Sequence, residues 1–104
     1  MGHDDWRPAP LPPTVLEAAM GTADGPREAT YGHPADHFAA TGRMWGALLS
    51  ARLGLRVPDV PPDLVALMFI ADKSVRLCET PGHRDSLVDV CGYARCIEKV
   101  MERS

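Results

Sequence analysis

The sequence of 104 residues lacks the cysteine patterns that mark disulfide-rich and zinc-binding proteins. It holds three cysteines, Cys78, Cys91 and Cys96, and an odd number within apparently helical segments argues against a disulfide framework. The Cys-x4-Cys pair has no matching cluster of His or Cys at zinc-ligand spacing. We therefore predict three reduced cysteines in the core and no structural zinc.

Long apolar runs and an excess of one charge are also missing. No apolar stretch approaches the roughly 20 residues of a membrane span, and the first residues have neither the charge nor the apolar region of a signal peptide. The formal net charge is −3 with both signs interspersed, which does not favour binding to nucleic acid or to a membrane surface. We expect a soluble cytoplasmic protein, and because a chain of this length buries limited surface, we also expect it to form oligomers.

Alternation of period two, internal repeats, phosphate-binding glycine loops and Ser-His-Asp or Cys-His arrangements are absent too. The patterns that remain are helical, and they predict an all-α bundle of four or five helices. We predict a proline-rich arm over residues 1–13 and one domain over residues 14–104. The predicted helices run from the N-cap Thr14 to Gly21, from Pro34 to Leu53, from Pro62 or Asp63 to Glu79, and from Arg84 to within the last few residues.

The third and fourth predicted helices are apolar on more than one side, so each is expected to pack on two sides. For the third helix, the residues assigned to the core face are Leu64, Leu67, Met68, Ala71, Val75 and Cys78. For the fourth helix, they are Leu87, Val90, Cys91, Ala94, Ile97 and Met101. The more exposed sector of the fourth helix is assigned to Val88, Arg95 and Lys99.

The fourth helix also carries two carboxylates one turn apart. Asp85 and Asp89 share a face that continues through largely apolar positions, which predicts that both lie at a seam between helices. Buried carboxylates need a cation to offset their repulsion and desolvation. A divalent metal is one answer. In the second interpretation, Asp85 caps the helix and Asp89 pairs with a lysine or arginine of a neighbouring helix. The spacing alone slightly favours this second interpretation.

Two cations lie close together on the third predicted helix. The simpler interpretation is a surface pair between Asp72 and Arg76, with Lys73 in solvent. The apolar residues around them indicate instead that this face is covered, so that Lys73 and Arg76 face the two aspartates or hold phosphate oxygens.

The loop before the second helix and the first turn of that helix concentrate chemically capable side chains, namely Arg27, Glu28, Tyr31, His33, Asp36 and His37. Asp36 either interacts favourably with the dipole of the helix or, with Glu28, completes a site formed by Asp85 and Asp89. The two histidines are a weak metal motif without a carboxylate across the bundle.

Taken in order, one series of residues resembles a family of small phage-encoded MazG-like proteins, in which an R-x3-YG loop, a Trp-containing helix, a K-x2-R helix and a D-x3-D-x2-GY helix follow one another. The series is Arg27, Tyr31-Gly32, Phe38, Trp45, Lys73, Arg76, Asp85, Asp89 and Gly92-Tyr93. The resemblance implies an all-α nucleoside triphosphate pyrophosphohydrolase, dimeric or tetrameric, that cleaves a triphosphate to the monophosphate and pyrophosphate with Mg²⁺ or Mn²⁺. The MazZ-type branch, which acts on dGTP, is similar enough to suggest that substrate.

On this hypothesis the residues divide into three roles. The metal ligands are Asp36, Asp85, Asp89 and Glu28, and the catalytic residues are Asp36, Asp85, Asp89 and Lys73. The substrate-binding residues are Arg27, Tyr31, His33, Trp45, Lys73, Arg76 and Tyr93, although the spacing of Trp45 from Phe38 is more often that of a core residue. The chain lacks the E-x2-E pair of the broader superfamily. A non-catalytic nucleotide-binding or protein-interaction module is therefore the alternative.

Overall fold

The computed structural model describes residues 11–24 and 32–103, except for the side chain of Thr22. These residues form four helices and no strand, so the predicted all-α class is confirmed. The helices are α1 (Val15–Ala23), α2 (Pro34–Leu53), α3 (Pro62–Glu79) and α4 (Arg84–Glu102). Most of the predicted proline-rich arm lies outside the described residues. No helix in the described part of the chain is both long and apolar enough to cross a membrane.

Local signals at the helix ends explain why their bounds were predictable. Thr14 caps α1 in a reciprocal capping box with Glu17. Pro34 opens α2, and Gly54 ends it in the left-handed conformation with φ 67°. The predicted end of α1 at Gly21 is wrong, because the helix continues to Ala23 and Asp24 caps it.

The core lies where α2, α3 and α4 meet. Phe38, Val65 and Ala66 are buried there, and half-buried side chains surround them. These are Trp45, Val60, Phe69, Tyr93, Cys96 and Ile97. The four-residue connection between α3 and α4 makes these helices antiparallel neighbours, and α1 packs mainly against α4.

The predicted core face of α3 is wrong. Leu64, Leu67, Met68, Ala71, Val75 and Cys78 are all exposed. The opposite side, with Val65, Ala66 and Phe69, faces the core instead. Val65 and Ala66 are completely buried on this side, and the core gains the large apolar surface of the Phe69 ring.

The predicted faces of α4 also need correction. Leu87, Ala94 and Met101 are exposed, whereas Val90, Cys91 and Ile97 are half-buried. Lys99, predicted to be exposed, is only 6% exposed. Lys99 is buried because it contacts the end of α1, where its ammonium donates a hydrogen bond to the Ala23 carbonyl oxygen at 3.1 Å. Cys78 is exposed, so its predicted place in the core is wrong, whereas Cys91 and Cys96 are half-buried.

The connector between α2 and α3 lies directly against two glycines of α2. The Val60 amide donates to the Gly42 carbonyl at 3.1 Å. A methyl group at Gly42 would lie 1.9 Å from the Val60 carbonyl oxygen, and one at Gly46 would lie 2.7 Å from the Pro58 oxygen. Glycine is therefore required at both positions for the connector to pack.

An ionic cluster attaches α1 to α4. Both carboxylate oxygens of Asp24 accept hydrogen bonds from the Arg95 guanidinium at 3.2 Å. The Lys99 ammonium lies 3.6 Å from the same carboxylate. The hydrogen bond from Arg95 is the main cause of the lowered pKa of Asp24, and partial burial opposes it. The cluster holds the last turn of α1 in place.

We expect Gly42→Ala to lower the free energy of unfolding by about 1–3 kcal/mol, because the added methyl group would force the connector away from α2. Urea denaturation measures the change. The control is Gly21→Ala in α1, where the added methyl group meets open space. There alanine should stabilise the helix by up to about 1 kcal/mol. Equal effects of the two substitutions would contradict the steric argument.

We expect Asp24→Asn to destabilise the protein by up to about 1 kcal/mol at neutral pH. Because folding lowers the pKa of Asp24, its stabilisation is complete above the ordinary aspartate pKa of about 4 and is lost as the pH falls through the folded value. Urea unfolding of both proteins from pH 7 downward should thus show the difference shrinking below about pH 4. The matched control is Asp72→Asn, at an exposed position of α3. A difference that does not vary with pH would refute the ionic contribution.

Candidate functional site

A cavity of about 460 Å³ opens between the helices beside the core. All four helices contribute to its wall. The lining residues are Ala19, Ala23, Gly32, Pro34, His37, Phe38, Phe69, Lys73, Val88, Asp89, Gly92, Tyr93 and Cys96. This volume is within the range of pockets that hold small organic ligands.

One wall of the cavity is aromatic. The rings of Phe69 and Tyr93 stack with centroids 5.0 Å apart and planes inclined by 11°. Phe38 lies 6.0 Å from Phe69 and 6.3 Å from Tyr93, between centroids. Because Phe38 is buried and Phe69 and Tyr93 are half-buried, the rings form a fixed apolar surface. Such a surface suits a flat ligand.

An ion pair lies beside the aromatic wall. The Lys73 ammonium is 3.2 Å from a carboxylate oxygen of Asp89, and the two side chains are 29% and 41% exposed. The hydrogen bond to Asp89 is the main cause of the raised pKa of Lys73, so the ammonium stays charged. The cavity therefore combines a flat apolar wall with a solvent-accessible pair of opposite charges.

The register of α3 against α4 explains how these groups come together. Phe69 faces Tyr93 across the seam. Lys73 lies one turn further along α3, and Asp89 lies one turn back along α4, so the antiparallel helices bring these two opposite each other. Both were predicted as site residues, as was Tyr93, and the structure brings the three together.

The remaining predicted acids do not join them. Asp36 is 75% exposed and pairs with Arg103 at 2.9 Å. Asp85 is exposed in the first turn of α4, so its predicted burial at the seam is wrong. The N-cap of α4 is His83, so the alternative that Asp85 caps the helix is wrong as well. Only Asp89 of the two reaches the level of Lys73. Glu28 lies outside the described residues. Among those residues, no group of three or more His, Cys, Asp and Glu side chains could hold a metal ion.

The other predicted binding residues are dispersed. His33 caps α2, its Nδ1 accepting from the Ala35 amide at 3.0 Å. Trp45 packs behind Phe69 at 5.3 Å between centroids, as a core residue would, and Arg76 is exposed on α3. Neither residue lines the cavity. The predictions for Arg27 and Tyr31 concern residues outside the described part of the chain.

Several lining residues were not assigned to the site from the sequence. They are Gly32, Pro34, His37, Phe38, Phe69, Val88, Gly92, Cys96 and the α1 residues Ala19 and Ala23. The spacing along the two helices could have indicated Phe69, since any pairing of α3 with α4 that places Lys73 opposite Asp89 also places Phe69 opposite Tyr93. For α1 there was a compositional hint only, because small residues recur along one of its faces.

The comparisons with known proteins lead to phage proteins. The gene 55 protein of Mycobacterium phage D29 is 35% identical over 89 residues, which cover 86% of this chain and 54% of that protein. The gene 55 protein of Mycobacterium phage L5 is 31% identical over 87 residues, covering 84% of this chain and 52% of that protein. The chain thus spans about half the length of these curated relatives.

No solved structure matches the chain at a significant level. A family model described as a domain of unknown function, DUF6378, matches residues 14–101, which is most of the chain. The chain therefore belongs to the DUF6378 family.

Proposed function

We propose that the cavity binds a nucleoside triphosphate, with dGTP the first candidate, and that the protein hydrolyses it to the monophosphate and pyrophosphate in a metal-dependent reaction. The observation that carries the proposal is the ion pair between Lys73 and Asp89 on the edge of an aromatic cavity. The resemblance to MazG-like pyrophosphohydrolases agrees with the proposal, and it is itself a prediction from the sequence. The relatives are phage proteins, so we place the activity in the cytoplasm of an infected host cell.

The aromatic wall supplies the site for the base. A nucleobase that enters the cavity can pack against the half-buried rings of Phe69 and Tyr93. Stacking of a base on an aromatic side chain contributes about 1–3 kcal/mol and tolerates different bases. The wall therefore provides affinity, whereas choice among bases depends on polar groups at the base edges.

Lys73 supplies charge for the phosphates. Its ammonium is a compact donor at the mouth of the cavity, and phosphate oxygens accept strong hydrogen bonds from such groups. Arg76 lies one turn further along α3 and is exposed, so it can reach a phosphate that extends out of the cavity. As an electrophilic group, Lys73 would stabilise the charge that develops during attack on the α-phosphate.

Asp89 suits a divalent cation that arrives with the nucleotide. Mg²⁺ is usually held by one or two carboxylates together with substrate phosphates and water, rather than by a closed protein cage. One lining carboxylate, with Asp85 a turn away, fits that arrangement, whereas the described residues do not form a larger set. Such a cation, held by Asp89, would supply a coordinated water with a lowered pKa. Asp36 pairs with Arg103 and does not belong to this site.

A second candidate function is binding without hydrolysis. The observation that favours it is the shortage of ligands, because the described residues hold no group of three possible metal ligands. Such a module would sequester a nucleotide or present it to another protein. Thermal melting distinguishes the candidates from an inert fold, since a ligand that binds the folded state raises the melting temperature.

We also propose that the chain forms a homodimer or a homotetramer. The support is the outer face of α3, where Leu64, Leu67, Met68 and Val75 are 44%, 49%, 40% and 60% exposed. On α2, Met44, Leu48 and Leu53 are exposed as well. Large apolar patches of this kind are rare on monomers and mark interaction surfaces.

The hydrolysis proposal predicts that the protein converts dGTP to dGMP and pyrophosphate with Mg²⁺ or Mn²⁺ and not with EDTA. Lys73→Met should lower the rate about 100-fold, because a positioned donor for the developing charge is lost. Anion-exchange separation of the products measures both. Asp72→Asn, next to Lys73 but exposed and outside the cavity, should keep the rate of the unmodified protein. Intact nucleotide for every dNTP and NTP would refute hydrolysis and leave binding.

The assembly proposal predicts that Val75→Glu shifts the protein to the monomer, since a charge in an apolar interface must be desolvated. Light scattering after size-exclusion chromatography measures the mass. Leu16→Glu, at an exposed position of α1, is the matched control and should leave the mass unchanged. A monomeric unmodified protein at high micromolar concentration would contradict the proposal.

A further inference from the structure

Lys73 and Asp89 neutralise each other at the cavity. The ammonium and the carboxylate oxygen are 3.2 Å apart, and each side chain is partly exposed, so a solute can reach both. The other titratable lining side chains are His37, Tyr93 and Cys96. Asp85, exposed one turn before Asp89 on α4, adds negative charge on the same helix. The described part of the cavity therefore offers no excess positive charge.

This charge balance affects a polyphosphate that enters without a cation. Its oxygens can contact Lys73 only if Asp89 gives up part of its bond to the ammonium. The freed carboxylate would then lie beside the phosphates, and like charges held close together repel. A polyphosphate carrying a divalent cation would avoid this cost, because Asp89 would hold the cation and Lys73 would hold a phosphate oxygen in place of the carboxylate.

We propose that the Lys73–Asp89 pair acts as a charge gate, which excludes free nucleoside triphosphate from the cavity and admits the complex of the nucleotide with a divalent cation. This inference rests on the proposed function, because it assumes that the cavity is the nucleotide site. It assigns Asp89 a role before any chemistry, namely selection of the form in which the substrate binds. It also predicts that removal of the carboxylate improves binding in the absence of metal.

Calorimetric titration with a dGTP analogue that has a methylene bridge between the α- and β-phosphorus atoms tests the gate without turnover. The unmodified protein should bind the analogue at least tenfold more tightly with Mg²⁺ than with EDTA. In Asp89→Asn the carboxylate that pairs with the Lys73 ammonium is absent. The variant should bind in EDTA at least tenfold more tightly than the unmodified protein does, and Mg²⁺ should add little. Lys73→Met should bind weakly under both conditions.

Two controls separate the gate from general effects. Asp72→Asn removes the same charge next to Lys73 at an exposed position, and it should retain the full dependence on Mg²⁺. Thermal melting confirms that each variant is folded. The titrations of the unmodified protein need no variant, so they test the gate even if Asp89→Asn does not fold.

The outcomes distinguish the gate from the proposed function. Equal binding by the unmodified protein in Mg²⁺ and in EDTA would refute the gate and leave the nucleotide site intact. The same conclusion would follow if folded Asp89→Asn gained nothing in EDTA or kept the full effect of Mg²⁺. No binding by any of the proteins under either condition would overturn the proposed function, and the gate with it.

Discussion

The packing of α3 against α4 is the contact on which the rest of the structure depends. Val65, Ala66 and Ile97 occupy one stretch of this seam, and the stacked rings of Phe69 and Tyr93 follow. The next turn brings Lys73 to Asp89. A single antiparallel register therefore sets the core, the aromatic wall and the ion pair, and a shift of one residue would separate all three. The chemistry of the cavity follows from how two helices pack.

The sequence predicted the helices more accurately than their faces. The ends are set by local chemistry, such as the capping box at Thr14, Pro34 at the start of α2 and Gly54 at its end. The faces of α3 are set by its neighbours. Because that helix is apolar nearly all round, its periodicity gives no preference between two sides, and burial of Phe69 in the structure exposes Val75. Lys99 shows the same dependence, since its burial follows from the position of α1.

The site was predictable to the extent that it lies on one seam. Lys73, Asp89 and Tyr93 were assigned to it and lie together, because helical spacing places them at matching levels of α3 and α4. Asp85 also has the right spacing, but it lies level with the end of α3, beyond the position of Lys73. Asp36 belongs to another helix, and its partner Arg103 could not be inferred from spacing. Periodicity along one helix relates residues of that helix and carries no information on the rotation of its neighbours.

The cavity exists because small residues stand where larger ones would fill it. Ala19 and Ala23 of α1 and Gly92 of α4 line it, and a methyl group at Gly92 would meet open space. On the α1 wall Ala19 and Ala23 are buried and Asp24 binds Arg95 and Lys99, while Leu16 and Met20 of the same helix are exposed. An empty apolar volume is a cost to stability, because its walls lose packing partners. The aromatic rings and the Lys73–Asp89 pair border the same volume, so a solute that enters it meets an apolar surface and a pair of opposite charges.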